Sequence, residues 1–62
     1  MKTLTKSGKL VESWYDRRSR NHITQVKDEN GFQVGDAEVD GDCVSRDYSH
    51  KQLVQEYGGK AC

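Results

Sequence analysis

The 62-residue chain has no proline, two cysteines, and one each of tryptophan, phenylalanine and methionine. It has no apolar run near the roughly 18–20 residues that a membrane helix needs. It also has no net charge: ten Lys and Arg balance ten Asp and Glu, with both histidines taken as neutral. Each absence excludes something. Zero net charge rules out a bulk polycation that coats nucleic acid. Two cysteines are too few for the disulfide framework of a small secreted scaffold, so Cys43 and Cys62 are expected as free thiols. Met1–Lys6 is basic, but polar residues and Gly8 follow where a signal peptide has its apolar core, and the expected location is cytoplasmic. The length excludes a dinucleotide fold, a barrel or a two-lobed enzyme. Hydrophobic residues make up only 32% of the chain, against roughly 45–50% in globular domains. Disordered segments are usually rich in proline and poor in aromatics. Trp14, Tyr15, Phe32, Tyr48 and Tyr57, with no proline beside them, argue for a folded chain.

The order of elements is legible from alternation and turn residues. Residues 1–9 are polar and read as a flexible N-terminal arm. Residues 10–15 and 22–27, rich in β-branched and aromatic side chains, read as two strands joined by the basic turn Arg17-Arg18-Ser19-Arg20-Asn21. Asp28-Glu29-Asn30-Gly31 supplies residues that tolerate positive φ, as a tight hairpin turn requires. Residues 32–39 read as a third strand, closed by Asp40-Gly41-Asp42. Ser49 and Gln52 fit a capping box. His50, Leu53, Val54 and Tyr57 share one helical face, and Gly58-Gly59 ends the helix. A helix of about ten residues holds in water only if it docks. The expected fold is α+β: a three-stranded antiparallel β-meander followed by one C-terminal helix packed on one face (β-β-β-α). The domain spans residues 10–59, with a tail at 60–62. The candidate core is Val11, Trp14 or Tyr15, Ile23, Val26, Phe32, Val34, Ala37, Val39, Leu53, Val54 and Tyr57. So small a core leaves homodimerisation open as a source of stability.

Charge is the main functional clue. Residues 1–27 carry seven basic groups against two acidic, a surplus of five positive charges. Residues 28–47 carry seven acidic groups against Arg46, a surplus of six negative charges, and residues 48–62 are positive by one. The neutral total hides a polarised chain. Two binding readings follow. In the first, Asp36, Glu38, Asp40 and Asp42 face a basic surface on a protein partner, where complementary charge speeds encounter. In the second, Arg17, Arg18 and Arg20 hold phosphates while Trp14 or Tyr15 stacks on a base. The protein partner is favoured, because zero net charge and the acidic third strand weaken phosphate affinity.

Trp14-Tyr15-Asp16-Arg17-Arg18-Ser19-Arg20, followed by a hairpin and a helix, resembles the three-strand-plus-helix DNA readers of the AP2 type and the arm-binding domains of tyrosine recombinases. The likeness covers residues 10–58 in layout. It implies basic and aromatic side chains of the sheet entering the major groove. The chain departs from that pattern in its second and third strands, which offer only His22 and Lys27 as positive groups. In size and style the chain also resembles a small phage or prophage accessory protein.

Site chemistry is sparse. No C-x-x-C or H-x-x-x-H pair exists for structural zinc, and Asp40-Gly41-Asp42 lacks most of a calcium loop. Cys43 reads as a small buried residue. Cys43 with His50 or His22 and Asp47 could be drawn as a nucleophilic site, but so short a chain has little room for a pocket of roughly 300 Å3. The expectation is a non-enzymatic binding module with no catalytic residue, metal or cofactor.

Overall fold

The computed structural model describes residues 1–61. Its elements run β1 (Lys2–Leu4), β2 (Leu10–Asp16), β3 (Asn21–Lys27), β4 (Glu38–Asp40) and α1 (Cys43–Glu56). The strands form one antiparallel sheet in the order β1-β2-β3-β4, and α1 packs across β2, β3 and β4. The α+β class, the meander and the C-terminal helix are those expected. The sheet has four strands rather than three, and the element boundaries differ in three places.

The first difference is the N-terminal segment. Lys2–Leu4, read as part of a loose arm, forms an edge strand that pairs Lys2 with Glu12, Thr3 with Val11 and Leu4 with Leu10. Its outer edge is occupied in turn by the end of the chain: the Lys6 amide donates to Gly59 O at 2.9 Å and the Ala61 amide to Leu4 O at 2.8 Å. Thr5 anchors the β1–β2 turn, accepting the Lys9 amide on its hydroxyl at 3.0 Å. Cys62 lies outside the described residues.

The second is the third strand. The Asn30-Gly31 turn forms as expected, with Gly31 at φ +86° and the Asp28 carboxylate accepting the Asn30 and Phe32 amides. The returning chain then leaves the sheet. Lys27 bridges Gln33, but Thr24 pairs with Glu38. The residue numbers of these partners sum to 60 and then to 62, so two extra residues are inserted on the returning side. A two-residue insertion preserves which side chains face which way, whereas a one-residue slip reverses them. It displaces Asp36 from the sheet and brings Val39, rather than Ala37, opposite Ile23.

The third is the helix start. α1 begins six residues before the Ser49 capping box, at Cys43, because the Asp42 carboxylate accepts the Ser45 amide at 2.7 Å and caps the helix. That hydrogen bond holds the Asp42 carboxyl below its ordinary pKa of 3.8. His50 and Val54 are buried on the inner face of α1 and Leu53 and Tyr57 partly so. Cys43, expected to be buried, is exposed in the first turn.

Few apolar side chains reach full burial. Among the described residues only Val11, Val26 and Val54 do, with Val34, Leu53 and Tyr57 packed around them. Phe32 and Val39, placed in the core by the sequence pattern, are 69% and 58% exposed. Neither Trp14 nor Tyr15 is buried.

Candidate functional site

The pleat sorts the sheet's side chains between two faces. Thr3, Val11, Ser13, Tyr15, His22, Thr24, Val26, Glu38 and Asp40 lie on the face that α1 covers, as their alternation and cross-strand pairing require. Lys2, Leu4, Leu10, Glu12, Trp14, Asp16, Asn21, Ile23, Gln25, Lys27 and Val39 lie on the face it leaves open.

The covered face is polar at its centre. Ser13, Thr24 and His50 are buried together. Ser13 Oγ lies 2.7 Å from His50 Nδ1 and 2.9 Å from Thr24 Oγ1, and Thr3 Oγ1 lies 2.8 Å from His50 Nε2. Hydroxyls both donate and accept, so neutral imidazole is satisfied at both nitrogens. Burial, reinforced by the nearby Met1 ammonium, disfavours the imidazolium and lowers the His50 pKa from its ordinary 6.5. Sequence reasoning missed this network because Ser and Thr read as surface residues. The signal was present in phase: Ser13 and Thr24 fall on the same alternation as Val11 and Val26. Thr3 and His50 also border an open groove of about 340 Å3, larger than the chain length suggested. The imidazole sits 5% exposed and is locked between two hydroxyls, which makes it a packing element of the core.

On the open face, the register sets Trp14 against Ile23 and Ile23 against Val39, an apolar row across β2, β3 and β4. Leu4 and Leu10 pair at the opposite end. Between these ends lies the row Lys2, Glu12, Gln25, with Lys27 Nζ 3.6 Å from Glu12 Oε1. Trp14, Val39 and Leu4 are 40%, 58% and 55% exposed.

The proposed phosphate contacts sit just beyond this row. Arg17, Arg18 and Arg20 are exposed in the β2–β3 turn. Asp16 holds the turn, accepting the Arg18 amide at 3.1 Å and the Ser19 hydroxyl at 3.0 Å. Arg20 takes φ +57°. Among the described residues these three arginines make no ion pair; the pairs present are Lys27–Glu12 and Arg46–Asp47. Trp14 lies on the open face and Tyr15 on the covered one, its ring 5.0 Å from the His22 ring. The structure therefore separates the two aromatics that the sequence offered as alternatives.

The acidic residues do not form one surface. Asp36 is exposed in the insertion before β4. Glu38 borders a cleft with Tyr48, Leu53 and Glu56. Asp40 is half-buried beside His22, with Oδ2 out of solvent and without a hydrogen-bond partner. Asp42 caps α1. Among the described residues no three His, Cys, Asp or Glu side chains gather as metal ligands, and no helix is long and apolar enough to cross a membrane. No protein-family model matches the chain, and no curated protein or solved structure matches it either.

Proposed function

We propose that the chain is a non-enzymatic binding module that docks on a protein partner through the open face of its sheet. The row Trp14, Ile23, Val39 carries this reading. A folded domain ordinarily turns such a row toward its core, and apolar surface left in solvent marks interaction sites; Trp14 and Val39 are exposed and Ile23 between them is half-buried. Tryptophan is among the side chains favoured as anchors of protein contacts. The acidic segment supports the reading less well, because Asp42 is engaged in capping and Asp40 faces the helix side. The experiment is capture of partners on the immobilised chain. Capture should be lost with Trp14→Ser or Val39→Arg and kept with Asp36→Lys. Capture that survives both open-face changes contradicts the proposal.

The alternative, nucleic-acid binding, is supported by the three unpaired arginines of a turn that Asp16 holds rigid. Phosphate contacts release counterions, so such binding weakens steeply with salt. A low-salt gel shift with single- and double-stranded DNA and RNA tests it. A complex abolished by Arg18→Glu with Arg20→Glu supports it, and no complex at any salt ends it.

A further inference from the structure

We infer that the free edge of β4 takes an added strand, an extended segment of another protein that sets a lysine or arginine into the cleft between β4 and α1. This edge lies beside the open face and does not depend on docking through Trp14.

The two edges of the sheet differ. β1 is covered by the chain's own end, through the bridge of Thr5 with Lys60 and the bond from the Ala61 amide to Leu4 O. β4 lies at the other edge, and no strand flanks it there. Which of its backbone groups face outward follows from the ladder, because successive residues of a strand point to alternate sides. The Ser13 amide donates to Met1 O at 2.8 Å, so Ser13 points toward β1 and Trp14 toward β3. Ile23 then points back at Trp14, while His22 and Thr24 point at Asp40 and Glu38. The bond from the Val34 amide to Val26 O has the same phase. Val39 is left with its N–H and C=O directed away from the sheet. Among the described residues neither group finds a backbone partner.

An unpaired edge is a template for a further strand, whose main-chain bonds give affinity and whose alternate side chains give specificity. A strand added here runs about 4.8 Å outside β4. Glu38, Tyr48, Leu53 and Glu56 line a cleft of about 240 Å3 between that edge and α1. Residues directly opposite across a pair share a face. A residue opposite Val39 therefore falls on the open face, where an apolar side chain prolongs the row Trp14, Ile23, Val39. A residue opposite Glu38 falls on the helix side and enters the cleft.

The lining of the cleft selects a cation. Glu38 and Glu56 are exposed, and among the described residues neither is ion-paired. Tyr48 is 66% exposed. An ammonium or guanidinium set between two carboxylates and against a tyrosine ring gains from both, and its methylene stem covers Leu53. The six surplus negative charges of residues 28–47 steer a basic segment to this edge and turn an acidic one away. A second copy fits poorly. Antiparallel pairing of β4 with its own copy about Val39 sets Glu38 opposite the partner's Asp40, and like charges directly opposite are destabilising.

The test is titration of the full chain with a terminally blocked peptide that alternates lysine and valine over about seven residues, the length of an ordinary strand, followed by amide NMR. The expected result is saturable binding with shifts at Val39, Tyr48 and Leu53, and slower hydrogen exchange of the Val39 amide at saturation. A peptide with its valines N-methylated cannot donate to Val39 O and should bind roughly tenfold more weakly or not at all. A peptide alternating glutamate and valine should bind as poorly. Glu38→Gln with Glu56→Gln should weaken the lysine peptide several-fold. No binding of the lysine peptide overturns the inference. So does binding that leaves exchange of the Val39 amide unchanged, or that tolerates N-methylation or the double glutamine change. Partner capture by Trp14→Ser bears on the open face alone, so either site can fail without the other.

Discussion

The two faces of the sheet invert the usual division between inside and outside. Under the helix lie Ser13, Thr24 and His50, with three valines for an apolar complement. On the open side stand Trp14, Ile23, Val39, Leu4 and Leu10. A chain with few hydrophobic residues would be expected to spend its largest ones on the core. This one holds its fold with a hydrogen-bonded centre, packs Val34, Leu53 and Tyr57 around three valines, and leaves Trp14, Phe32 and Val39 exposed. Buried polar networks specify structure when every member is satisfied and fail sharply when one is removed. The covered face should therefore be sensitive to single changes and the open face tolerant of them.

The largest effect is expected at His50. His50→Ala leaves a cavity and strips Ser13 and Thr3 of their shared partner, a loss of about 2–4 kcal/mol. In so small a domain that should show as partial or complete unfolding by circular dichroism at room temperature. A melting curve close to wild type would remove the covered face from its central role.

The pH dependence follows from the same residue. The lowered His50 pKa means that the folded state holds the ring neutral while the unfolded chain binds a proton near pH 6.5. Stability is thus fully present above that pH and is lost as pH falls below it. Urea midpoints at pH 7.5 and 5.0 should differ in that direction. His50→Gln should flatten the difference in this range, leaving the carboxylates to act at lower pH.

A smaller change is expected at the helix start. Asp42→Ala removes the acceptor for the Ser45 amide and should lower the melting temperature and helical signal. Asp42→Asn, which still accepts that bond, should lower them less. Equal losses would show that the cap is not what sets the early start of α1.

The sequence made much of this fold legible and little of its use of polarity. The helical face of His50, Leu53, Val54 and Tyr57 followed from spacing, and the two long strands from alternation. The start of α1 did not, since residues 43–49 lack apolar periodicity and their helix depends on a single carboxylate. β1 has one apolar residue and takes its order from pairing with β2 and with the chain's end. The third strand is shorter than its alternation implies, because a two-residue insertion leaves that alternation intact. That same insertion hid the open-face row: Trp14 and Ile23 are in phase from the sequence, but Val39 joins them only once the register has shifted.

The central claim is that the open-face residues serve docking and the covered-face residues serve folding. It is tested most directly by urea unfolding of the Trp14→Ser, Val39→Ser double variant. The transition should be followed by circular dichroism. The account predicts a midpoint close to wild type, each change costing about 1 kcal/mol or less, in a variant that no longer captures a partner. A loss as large as that of His50→Ala would contradict it, and would place Trp14 and Val39 among the residues that hold the fold together.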